Sequence, residues 1–155
     1  MSKILTALAL TALTTQVMAQ HKPAQVYTKA EIQHQLSQLA DQAKDKGGSG
    51  ATLGDFGSHA LKLSVRSSSG GAEIHAHFDD VLVVTEGSAT LITGGTLVDP
   101  HTGSDGESKG TSILNGVTQT VSPGDVVHVP AGTPHQLLIA KGVLFSAFVV
   151  KIHEQ

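Results

Sequence analysis

The chain predicts an all-β barrel or sandwich of the jelly-roll kind, preceded by one N-terminal α-helix. Three observations carry this. A helical apolar period occurs once, before Gly47, and does not return. From Leu61 onward, short apolar runs follow one another at close spacing, seven to nine strands divided by Gly, Pro, Ser and Asp turns. The 155 residues contain no cysteine, so a hydrophobic core and not a disulfide frame must hold them together. A chain of this length suffices for one such core.

Taken in order, residues 1–19 read as a secretory leader. Met1-Ser2-Lys3 is a short basic start, Ile4 to Leu13 is an apolar run, and Val17-Met18-Ala19 resembles a signal-peptidase site. The run is too short to span a bilayer, which takes about 20 residues. Cleavage before Gln20 would leave a periplasmic or secreted protein with no membrane anchor. Residues 20–50 then form an N-terminal segment whose helix is expected over 28–46. Thr28-Lys29-Ala30-Glu31 is a capping box, Ile32, Leu36, Leu39 and Ala43 make a narrow apolar stripe, and Gly47 ends the helix. Gly47-Gly48-Ser49-Gly50 reads as a flexible joint to a barrel domain over 51–155.

Within that domain Leu61, Leu63 and Val65 alternate with polar residues as a half-buried strand. Strands are expected at Glu73 to His77, Val81 to Thr85 and Ser88 to Thr93. Asp99 to Gly116 reads as a long surface excursion with room for a short strand at Thr111 to Leu114. Val117 to Val121, Val126 to Val129, Gln136 to Ala140 and Val143 to Val150 complete the set.

Charge excludes one class of partner. Without Lys3, nine of the ten Lys+Arg remain against thirteen Asp+Glu, and Arg66 is the one arginine. A mildly acidic chain of this kind lacks the basic footprint of a nucleic-acid binder. The interior strands are rich in Val, Leu and Ile, which argues against a multiply charged ligand.

The nine histidines are the chemically informative residues. On the expected strand Glu73-Ile74-His75-Ala76-His77, both imidazoles and Glu73 leave the same face. Two imidazoles side by side in front of a sheet suit a first-row divalent metal, and one strand cannot close its coordination sphere. A further ligand must come from elsewhere. His135 stands out, because Pro130, Gly132 and Pro134 stiffen and shape the turn that delivers it. His128 reads as outward-facing or supporting, while His34, His59, His101, His21 and His153 have ordinary solvated or local readings.

These two stretches resemble the paired motifs of the cupin superfamily. Gly124, Pro130, Gly132 and His135 match the second motif at every spacing, with Ile139 where the family often has Asn. His75, His77 and the closing Gly87 match the first, although Gly70 lies one residue too close to His75. Counting back from Gly87 places Asp80 where the family has a glutamate, with Asp79, Glu73 or no carboxylate as the alternatives. The resemblance implies a small jelly-roll barrel, often a homodimer, binding Fe, Mn, Ni or Zn through His75, His77, His135 and Asp80. It further implies a metal-dependent enzyme of dioxygenase, isomerase or lyase type acting on a small oxygen-rich organic molecule. A non-catalytic small-molecule- or metal-binding cupin is the alternative.

Overall fold

A computed structural model describes residues 23–154, so the expected leader at 1–19 and its cleavage point lie outside the described residues. Among the described residues the single helix, α1 at Lys29–Lys46, forms where its capping signals lie. The Thr28 hydroxyl accepts the Glu31 N–H, and the Glu31 carboxylate accepts the Thr28 N–H at 2.8 Å, satisfying two donors a helix start leaves open. Gly47 closes the other end with φ of 81°, donating to the Ala43 carbonyl. Ser67 Oγ donates to the same carbonyl at 2.6 Å and fastens the helix end to the loop that follows the second strand.

Thirteen strands follow: β1 Gly48–Asp55, β2 His59–Arg66, β3 Ala72–Ile74, β4 Phe78–Glu86, β5 Ala89–Thr93, β6 Thr96–Val98 and β7 His101–Thr102, then β8 Ser108–Gly110, β9 Ser112–Leu114, β10 Val117–Val121, β11 Val126–Val129, β12 His135–Leu138 and β13 Phe145–His153. One sheet has the order β1-β2-β13-β4-β11, the facing one β10-β5-β12-β3-β8-β7, and β6 pairs with β9 as a separate ribbon. Every pairing is antiparallel. Between the two large sheets lies a core of Val84, Ala89, Leu91, Val121, Ile139, Phe145, Ala147 and Val149. Ile139, at the position where the related motif carries Asn, is part of this core.

Three expectations about elements change. The expected joint at 47–50 is only a cap, because Gly48 already opens β1, which pairs along the length of β2. The strand expected over Glu73 to His77 stops at Ile74, and the chain bends at Ala76 and His77. The 99–116 excursion is built from β7, β8 and β9, and β8 pairs with β3 beside the histidines.

The orientation of β2 sets the character of the interior. Its apolar face, Leu63 and Val65, turns outward and is covered by Leu39 and Ala43 of α1. Full burial of such a side chain stabilises by roughly 1.5–3 kcal/mol. The opposite face carries Lys62, Ser64 and Arg66, in register with Val149, Ala147 and Phe145 of β13, so it looks into the barrel. Gly87, the closing glycine of the first motif, has φ of 69°, and a Cβ there would strike the Leu144 carbonyl.

Candidate metal centre

His135 is the first residue of β12 and stands opposite Glu73 of β3 in the ladder. The turn that delivers it is pinned at three points. Gly132, with φ of 74°, donates its N–H to the His75 carbonyl at 2.8 Å, which ties the two histidine segments together. Ala131 N–H donates to Asp79 Oδ1 at 2.8 Å, and Gly94 N–H donates to the Pro134 carbonyl. The stiff Pro/Gly turn therefore fixes one imidazole against three separate segments of the barrel.

The result is a compact donor group. One ligand atom each from Glu73, His75 and His135 lies within 4.8 Å of the others, and this group could hold a metal ion. His75 and His135 are buried, with ring centroids 5.0 Å apart. His135 Nδ1 lies 3.0 Å from the Thr133 carbonyl, an acceptor only, so Nδ1 donates there and Nε2 is the nitrogen left to face Glu73 and an ion. That Nε2 is 3.6 Å from Glu73 Oε1, too long for a hydrogen bond and open enough for an ion to sit between them. The proximity of His135 holds Glu73 below the ordinary carboxylate value, against the opposing effect of burial.

His75 is bracketed by carboxylates. Its Nδ1 meets Glu107, and its Nε2 lies 3.2 Å from Asp80 Oδ2. Burial works against its charged form, but the contacts with Asp80 and Glu107 outweigh it and raise the pKa. Without an ion, both ring nitrogens face carboxylates, an arrangement that favours the protonated ring. With one, Glu107 on Nδ1 would orient the ring and strengthen Nε2 as a donor, the usual support of a metal-binding histidine. Asp80 is buried, and desolvation penalises its charge, yet His75 and Lys151 keep its pKa low. Lys151 Nζ lies 3.1 Å from Asp80 Oδ1 without the alignment of a hydrogen bond, leaving that oxygen with charge compensation only.

Of the four expected ligands, the structure brings His75 and His135 together in the donor group, Asp80 stands beside His75 outside that group, and His77 lies apart. Because β3 ends at Ile74, the alternation that would align His75 with His77 is broken. His77 is exposed, in a bend beside Gly106. Glu73, one of the alternatives for the carboxylate, stands in the donor group, whereas Asp79 is taken up by Ala131 and by His128 Nε2 at 3.0 Å. His128 faces outward; His34 and His101 are exposed, and His59 stacks on Phe56. Glu107 has no counterpart among the sequence expectations. Its one signal was being the sole glutamate of the 99–116 stretch.

The group opens on a cavity of about 270 Å³ inside the barrel, walled by Leu82, Leu91, Val129, Leu137 and Val149 and by the polar face of β2. Among the described residues no helix is long and apolar enough to cross a membrane.

No family model matches the chain, and no curated protein does. Solved structures of cupin-fold proteins do resemble it. KdgF from a Halomonas species aligns at 13% identity over 70% of this chain and 82% of its own, with a TM-score of 0.50. The DMSP lyase DddQ from Ruegeria pomeroyi DSS-3 aligns at 17% identity over 68% of this chain, with a TM-score of 0.50; the match spans 46% of the lyase. The polyketide cyclase RemF from Streptomyces resistomycificus aligns at 21% identity over 69% of this chain and 66% of its own, again at 0.50. The likeness is one of fold: this is an all-β cupin barrel with one N-terminal helix.

Proposed function

We propose that this barrel binds a divalent transition metal through Glu73, His75 and His135, with Asp80 as an adjoining carboxylate, and acts as a metal-dependent enzyme on a small oxygen-rich organic molecule. The observation that carries the reading is the convergence of two buried, separately anchored imidazoles and a carboxylate at the wall of one cavity. An Fe, Mn, Ni or Zn ion held there would supply Lewis acidity, or redox chemistry in the case of iron. The protein's part is to aim His135 Nε2 at the ion, to set the His75 ring through Glu107, and to surround the bound molecule with apolar walls. The lyase and cyclase among the fold's relatives support a small-molecule substrate and leave dioxygenase, isomerase and lyase chemistry open.

A non-catalytic binding protein is the second reading, favoured by the Lys151–Asp80 pair, which partly neutralises one carboxylate of the site. In either case the leader-like residues 1–19 support an exported chain beginning at Gln20 and acting in the periplasm or outside the cell, and the fold supports a homodimer.

The test is metal binding by the protein purified from the exported fraction, followed by a turnover screen of diketones, oxo-acids and phenolics with each metal. Stoichiometric metal, lost on His75→Ala and on His135→Ala while His77→Ala retains it, is the expected result. Metal affinity unchanged by both of the first two substitutions overturns the reading. Stoichiometric metal without turnover selects the binding protein.

A further inference from the structure

We propose that the cavity beside the donor group takes a small organic carboxylate, with Lys62 and Arg66 supplying its counter-charge. This names a substrate class for the site described above and rests on that reading for its functional meaning, although the charges themselves do not depend on a metal. Barrel strands usually turn their polar face to water. Here α1 covers the other face of β2, so Lys62, Ser64 and Arg66 line the cavity together with Lys151. Three cations thus face two carboxylates, Glu73 and Asp80.

The cations are not equivalent. Lys151 is committed: its Nζ lies 3.1 Å from Asp80 Oδ1 and 5.1 Å from the centroid of the Phe78 ring. Lys62 and Arg66 are half-buried, and among the described residues neither makes a side-chain hydrogen bond or salt bridge. Glu73 and Asp80 already have close partners in His135, His75 and Lys151. Arg66 acts on Glu73 only through space, without a contact, and Lys62 has no ion-pair contact either among the described residues. Such partly desolvated positive charges are costly, and a bound anion would offset that cost. The guanidinium fork of Arg66 matches a planar carboxylate, and a divalent ion in the donor group would add to the positive field.

The remaining walls, Leu82, Leu91, Val129 and Leu137, suit an apolar body attached to that carboxylate. The volume, about 270 Å³, falls just under the roughly 300–1,000 Å³ of ordinary ligand pockets, so the molecule is small. A single anionic group on an apolar frame also agrees with an interior too rich in Val and Leu for a multiply charged ligand.

Calorimetric titration of the purified protein, with and without added metal, tests this using pyruvate, butyrate and benzoate, each against its primary amide. At least one acid is expected to bind tighter than its amide, by about tenfold or more, the worth of a charge-assisted hydrogen bond. Lys62→Met and Arg66→Gln should each abolish that preference in a protein that still takes up metal. Should Arg66→Gln fail to fold, Lys62→Met alone decides. Equal binding of every acid and amide, no binding of any acid, or an unchanged preference in the folded variants overturns the proposal. Metal bound without acid preference would sink this inference alone. Acid preference that depends on Lys62 in a protein that takes no metal would uphold it and sink the metal reading.

Discussion

His75 and His135 reach the same point in space, but their Nδ1 atoms are held by acceptors of different kinds. A backbone carbonyl, that of Thr133, fixes the tautomer of His135, so no side-chain substitution removes it directly. A carboxylate from the excursion between β7 and β8, Glu107, holds His75. This predicts an asymmetry. Glu107→Gln keeps the size and one acceptor oxygen but removes the charge that makes the ring a stronger donor. Metal affinity measured by competition with a chromophoric chelator should fall by about 10–100-fold, as for other supporting carboxylates. The thermal midpoint of the metal-free protein reports separately on folding. An unchanged affinity would mean that Glu107 serves His75 only in the metal-free state.

The second motif was legible at this scale because its residues act within one turn: Pro130, Gly132 and Pro134 shape the path to His135 locally. The first motif was harder to read. The carboxylates around its histidine come from β3, β4 and the 99–116 stretch, and no local spacing encodes which of Glu73, Asp80 and Glu107 arrives where. The pairing of His75 with His77 depended on strand alternation, and the strand ends three residues short of His77.

Among the elements, β4 and the turn after β11 are joined through Asp79. Its carboxylate accepts the Ala131 N–H, the larger influence, and contacts His128, and together these hold its pKa below the ordinary value. A depressed folded-state value means stability that is fully present above the unfolded-state pKa of about 3.9 and is lost as pH falls through the folded one. Urea unfolding should therefore show Asp79→Asn less stable than the parent at neutral pH, with the gap narrowing below about pH 4. A gap of constant size down to acid pH would show that the charge on Asp79 does not hold the turn.

Elements with a local signal were readable, and those without one were not. Helix α1 announces itself through the Thr28–Glu31 capping box and the stripe from Ile32 to Ala43. Strand β1, Gly-Ser-Gly-Ala-Thr-Leu-Gly-Asp, has three glycines and no alternation, and it exists because β2 offers it a ladder and α1 a lid. The pieces β7 and β8 are two or three residues long, set by pairing partners and not by composition, whereas β9 falls within the short strand expected at Thr111 to Leu114.

At the level of the whole molecule, the single helix changes what the barrel encloses. By covering Leu63 and Val65 from outside, α1 lets β2 turn Lys62, Ser64 and Arg66 inward, and the interior becomes apolar at one end and charged around the histidines. The jelly-roll architecture followed from the count and spacing of short apolar runs. The charged interior did not, because the same alternation in β2 fits either facing and only the helix decides between them.

The central claim is that Glu73, His75 and His135 hold one metal ion inside this barrel. Anomalous scattering from crystals of the protein grown with Zn or Mn tests it most directly. The expected result is one strong peak within about 2.0–2.3 Å of Nε2 of both histidines and of a Glu73 oxygen, with Asp80 beside it. A cavity without a peak, or a peak bonded to His77 and not to His135, would contradict the account.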